Sequence, residues 1–155
     1  MIYINQNRFY FIFLSILICL FDQLSKYFIS IDYKSIVNTD VIIFTIDYVK
    51  NFGAAFNIFS GYRTFLSTIS ILFSFILIYF ILKNNINKTT DLISYSFILG
   101  GTLGNGIDRI FKGYVVDFIN LNFINFPIFN IADTAINIGF FLIFYNLFKL
   151  RKSHV

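Results

Sequence analysis

Four apolar runs, at 9–31, 65–82, 92–107 and 128–150, dominate this 155-residue chain. A helix needs roughly 20 residues to cross a hydrocarbon core of about 30 Å. The third run is short and rich in glycine, and the other three have that length. In lipid every backbone N–H and C=O must be paired within the chain, which leaves helices or closed barrels. Four strands of this length could not close a barrel. The composition agrees: 57% of residues are hydrophobic and 13% charged, against roughly 45–50% and about 25% in soluble domains. So small a soluble domain could not hide that much apolar surface. The expected fold is an all-α polytopic membrane protein with four transmembrane helices, forming one membrane-embedded domain over 1–155. The first run does not read as a cleaved signal peptide, because Asp22 and Lys26 stand where a small-residue cleavage site would be.

Four spans place both termini on one side. Arg8, Lys83, Lys88, Lys149, Arg151 and Lys152 then share that side, with Lys34, Lys50, Arg63, Arg109 and Lys112 opposite. By the positive-inside tendency the first group is cytoplasmic, by a margin that rests on the C-terminal cluster. The net charge of +4 flanks the spans, with no basic patch interleaved with aromatics, so nucleic acid is not an expected partner. The connection 32–64 faces outward. Its segment 44–49 alternates in part and reads as a strand, so a small β-rich segment is expected between the first two helices. Gly53, in the run Asn51-Phe52-Gly53-Ala54-Ala55-Phe56, permits a turn. The connection 108–127 is also outward and carries Asp117. Cys19 reads as packing. His154, the sole histidine, argues against a zinc site or a Ser-His-Asp triad.

All eight acidic residues are aspartate, and in so apolar a chain each needs a reason. Asp22 and Lys26, four apart, share a helix face and can form a structural ion pair near the interface. Gly100 and Gly104 form a small face for close helix packing. Asn105, Asp108 and Arg109 project together at the outer end of the third span, either as a helix-end salt bridge or as part of a site. Asn130, Asp133, Thr134 and Asn137 make a polar stripe on the fourth span. A capped helix start, with Asn130 as N-cap and Asp133 in the first turn, explains two of the four. Asp117 lies between apolar neighbours, which is costly unless it is paired or protonated. The short connection can bring it beside Asp133. Two adjacent carboxyls cannot both ionise freely, and they suit the activation of water. The spacing alone leaves open a structural pair, an ion relay in a small transporter, or an assembly protein that uses the glycine face.

The segments taken together resemble the lipoprotein signal peptidases (signal peptidase II). The resemblance rests on Asp22 with Lys26, Asn51 to Phe56, Gly104-Asn105-Gly106-Ile107-Asp108-Arg109, Val115-Val116-Asp117-Phe118 and Phe129-Asn130-Ile131-Ala132-Asp133-Thr134, in that order on a four-span chain. It implies an aspartic endopeptidase with Asp117 and Asp133 as catalytic pair. Asp22, Lys26, Asn51, Gly53, Asn105, Asp108, Arg109, Asn130 and Ala132 are the implied supporting or substrate-binding residues. It implies a prolipoprotein substrate whose cysteine carries diacylglycerol, cleaved on the N-terminal side of that cysteine, and no metal or cofactor. The implied setting is the bacterial cytoplasmic membrane, with the site toward the extracytoplasmic face and membrane lipid around the chain. Nothing in the sequence demands more than a monomer.

Overall fold

The structure is a computed structural model that describes residues 6–36, 39–84, 86 and 88–152. His154 and its neighbours in the tail lie outside the described residues. Helix α1 spans Gln6–Ile31, α2 Tyr33–Ile36, α3 Arg63–Lys83, α4 Thr89–Phe111 and α5 Ile131–Lys152. Strands β1 (Thr39–Val41), β2 (Phe44–Asn51) and β3 (Val115–Leu121) form one antiparallel sheet in that order.

The burial pattern is inverted relative to a soluble protein. Phe21, Tyr27 and Phe28 of α1 and Phe75 and Ile76 of α3 are exposed, while Asp22 and Lys26 are 0% exposed. Such a surface is stable only against lipid, and it makes this a multi-pass membrane protein. Three helices, α1, α3 and α5, are long and apolar enough to cross a membrane. The expected fourth span, α4, is long enough at 23 residues but is not among them. It packs against α1, α3 and α5, and its polar residues Ser94, Ser96, Asn105 and Asp108 are buried.

Glycine permits that central position. A Cβ on Gly100 would lie 2.7 Å from Ile18 Cβ and 2.8 Å from the Ser15 carbonyl oxygen, and one on Gly104 would strike the Asp22 carboxylate. The small face thus seats α4 on α1, as close-packed membrane helices require. Gly100→Ala should lower the unfolding temperature in detergent, at a cost of about 1–3 kcal/mol from overpacking. An unchanged melting curve would refute the contact.

The sheet departs from expectation in one respect. The β-rich segment is not confined to the connection between the first two helices, because its third strand comes from the connection after α4. Alternation was legible at 44–49, but the register slips between Ile46 and Val49. Asp47 and Tyr48 there oppose only Phe118, a β-bulge. The break in alternation and the short apolar run around Asp117 hid the pairing. On β3, Val116 and Phe118 pack on Ile29 of α1, so period-2 alternation turns Asp117 to the opposite face.

Candidate functional site

Two returns of the chain bring Asp117 and Asp133 together. After β3, Phe129 folds back against Ile119: Phe129 N donates to Ile119 O at 3.1 Å, and Ile119 N to Phe129 O at 2.8 Å. The next residue, Asn130, then starts α5. Its Oδ1 accepts from Asp133 N at 2.9 Å, and its N donates to Asp133 Oδ2 at 3.2 Å. This is a reciprocal capping box, built from Asn and Asp. The helix therefore starts at Ile131, later than the expected 128. The capped start read from the sequence is present, and the same residue does more: Asn130 Nδ2 donates to Asp117 Oδ1 at 2.6 Å. Asn130 is fully buried and links the two aspartates.

Each carboxyl has a second amide partner. Asn51 Nδ2 donates to Asp117 Oδ2 at 2.9 Å, and Asn105 Nδ2 to Asp133 Oδ1 at 2.8 Å. Asn51 reaches Asp117 because Val49 pairs with Asp117 and Asn51 with Val115, which makes Asn51 and Asp117 diagonal neighbours on one sheet face. Burial and then the negative charge of Asp133 push the Asp117 carboxyl up to about 6; the hydrogen bonds from Asn51 and Asn130 and the charge of Lys26 pull the other way.

A cavity of about 760 Å³ opens in front of the pair, lined by Asn51, Asn105, Arg109, Asp117 and Asp133 and walled by Ile69, Phe73 and Ile136. Arg109 Nη2 donates to Gly53 O at 2.9 Å, tying the loop after β2 to α4. A Cβ on Gly53 would lie 2.8 Å from the Asn57 and Ile58 carbonyl oxygens, so the turn needs glycine there.

Behind the carboxyls lies a charged cluster. The expected interfacial ion pair is instead fully buried and joined by a third member. Lys26 Nζ contacts Asp22 Oδ2 at 2.8 Å, Asp108 Oδ2 at 3.1 Å and Asn105 Oδ1 at 2.8 Å, which uses all three of its protons. Asp22 Oδ1 accepts from Ala132 N at 2.9 Å, fixing the first turn of α5. Asp108, read from sequence at the outer end of the third span, is inside α4 and accepts from Val116 N at 3.3 Å. All of the residues expected at the site therefore meet at one end of the bundle. The sequence reading missed Gln23, whose Nε2 donates to Gly104 O at 3.0 Å, and Lys112, whose Nζ is 2.9 Å from Asp108 Oδ1. The i,i+4 spacing of Asp108 and Lys112 was the available signal. Among the described residues no group of three or more His, Cys, Asp or Glu is placed to hold a metal ion.

Two amide-bridged carboxyls face a cleft in an apolar helical bundle, an arrangement suited to the water activation of an aspartic hydrolase. The chain belongs to the signal peptidase II family: the family model described as "Signal peptidase (SPase) II" matches residues 14–149. It is 42% identical over 135 residues to the lipoprotein signal peptidase of Gloeothece citriformis, covering 85% of this chain and 84% of that protein. It is 36% identical over 150 residues to that of Pasteurella multocida, covering 92% and 91%. A solved structure described as a bacterial membrane enzyme, obtained by the in meso method at 2.3 Å resolution, superposes with a TM-score of 0.81 at 37% identity, covering 90% of this chain and 87% of that one. A second, at 1.9 Å, gives 0.79 at 38% identity, covering 88% and 91%.

Proposed function

We propose that this protein removes the signal peptide from prolipoproteins whose cysteine carries diacylglycerol, cutting on the N-terminal side of that cysteine, with Asp117 and Asp133 as the catalytic pair. One observation carries the reading: two carboxyls, held by Asn130 between them and by Asn51 and Asn105 outside, face the same cleft. Burial favours Asp117 as the holder of the shared proton at rest. Asp133 then takes a proton from the attacking water while Asp117 polarises the scissile carbonyl. No covalent acyl-enzyme forms, because the water is the nucleophile. Arg109 and Asn51 line the cavity and in this reading bind substrate backbone. The apolar wall of Ile69, Phe73 and Ile136 gives acyl chains a path in from the bilayer.

The whole chain acts as one membrane-embedded unit in this reading, as a monomer in the bacterial cytoplasmic membrane. Helix α4 is the fourth span. At about 1.5 Å per residue its 23 residues reach about 34 Å, enough for a core of about 30 Å. Its contact with all three apolar helices explains why it need not be apolar itself. Both termini are then cytoplasmic, and the carboxyls lie toward the extracytoplasmic face.

The test is cleavage by the purified protein in detergent, with a diacylglyceryl-modified prolipoprotein and its unmodified precursor side by side. Only the modified substrate should be cut. No cleavage by a folded protein would sink the reading, and equal cleavage of both would sink its lipid requirement. The pH dependence is a further check. The midpoint near 6 for Asp117 is raised first by burial and then by the charge on Asp133, and in this reading it describes loss of the last proton of the pair. For the free enzyme, kcat/KM should therefore fall as pH rises through about 6. A flat profile from pH 5 to 8 would overturn a proton lost near 6 in the working pair.

A further inference from the structure

Charge must balance in the cluster behind the aspartates, and its three deepest members do not balance by themselves. Asp22, Lys26 and Asp108 are each 0% exposed and carry one positive charge against two negative. Net charge without compensation is costly at that depth. The compensating group is Lys112, whose Nζ is 2.9 Å from Asp108 Oδ1 with its side chain 34% exposed. It stands one residue past the last turn of α4, as its C-cap, where a cation is also favoured by the helix dipole.

From Asp108 two arms run to the carboxyl pair. Asp108 Oδ2 accepts from Val116 N at 3.3 Å, and Val116 immediately precedes Asp117 on β3. Asp108 also holds Lys26, which donates to Asn105 Oδ1 at 2.8 Å. That bond, together with a longer one from Asn130 Nδ2 at 3.2 Å, sets which way the Asn105 amide faces, so Nδ2 points to Asp133. We infer that Lys112 is a positioning residue for both Asp117 and Asp133, acting through Asp108. Without it, Asp108 Oδ1 keeps only the 3.4 Å bond from Gln23, and Asp108 rebalances by pulling Lys26 away from Asn105, taking up a proton or loosening Val116. Each of these disturbs one aspartate. The charged groups that act on Asp108 are Asp22 and Lys26 from α1 and Arg109 and Lys112 from α4, so losing Lys112 tilts the local field negative.

The inference rests on the peptidase reading, and the experiment separates the two. Wild type, Lys112→Arg, Lys112→Gln and Lys112→Met are purified as full chains in detergent. Their cleavage of diacylglyceryl-modified prolipoprotein is followed across pH. Lys112→Met should lower kcat about tenfold, less than the ~100-fold cost of a full 1 Å misplacement. KM should stay within about twofold, and the alkaline limb should move to higher pH, because an unbalanced Asp108 favours protonation of the pair. Lys112→Arg should restore wild-type behaviour, and Lys112→Gln should resemble Met. Wild-type kcat and an unmoved pH limb in Lys112→Met would overturn the inference. So would Lys112→Gln equal to Lys112→Arg, which decides the matter should the Met variant fail to fold. If wild type does not cleave, the peptidase reading falls and takes this inference with it. If wild type cleaves and the charge at 112 is irrelevant, only the inference falls.

Discussion

Asp117→Asn and Asp133→Asn should each reduce kcat for prolipoprotein cleavage by about 10³-fold or more, near the upper part of the range for a positioned acid or base. Both substitutions are nearly isosteric, so the expected loss is chemical. At Asp117 the amide can still accept from one of Asn51 and Asn130, but it cannot exchange the shared proton. At Asp133 the amide oxygen can keep the bond to Asn105 or the cap on Asn130 N, while the base is gone. Folding should survive at both positions, and Asp133→Asn carries the larger risk because Asp133 also caps α5. The two effects should not add. Residues that act as one unit give a double variant about as inactive as either single one. Measured kcat for both single variants and the double variant, alongside unfolding temperatures, tests this directly. Full cleavage by either single variant would remove that aspartate from the chemistry.

How far the sequence carried this reading depended on which contacts were local. The long helices came from apolar length alone, with ends correct to a few residues except where caps decide. Helix α4 shows the limit: it is helical over Thr89–Phe111, beyond the apolar window at 92–107, because a polar residue such as Asp108 stays in the helix where Lys26 and Lys112 pair it. The polar stripe on α5 was legible because three- and four-residue spacing is a helical property. Strand β3 was not, because its partner β2 lies over 60 residues earlier and carries the bulge at Asp47 and Tyr48. Asn130 was legible as a cap but not as the link between the two aspartates. That role depends on Phe129 docking on Ile119, a tertiary event. The Asp22–Lys26 pair was legible too, but its depth was not. An i,i+4 pair reads the same at an interface as in a core, and only the packing of Gly104 and Ala132 against Asp22 makes it a buried one.

That depth gives the largest expected effect on stability. Lys26→Met removes the one buried cation between Asp22 and Asp108, both 0% exposed. Two fully buried carboxylates then lie together without their common partner. Breaking a buried pair in this way costs about 3–5 kcal/mol, most of it from the charge left behind. The variant should unfold at a clearly lower temperature in detergent. It should also lose activity, because Asn105 Oδ1 then keeps only the longer bond from Asn130 Nδ2, at 3.2 Å, to fix its orientation toward Asp133. The cause can be isolated by neutralising the remainder. Adding Asp22→Asn and Asp108→Asn to Lys26→Met removes both orphaned charges, so the triple variant should recover part of the lost stability while staying inactive. The groups touch, so their effects are expected to be strongly non-additive. Stability that fell further in the triple variant would mean that the hydrogen bonds to Ala132 and Val116, rather than charge balance, hold this end of the bundle together.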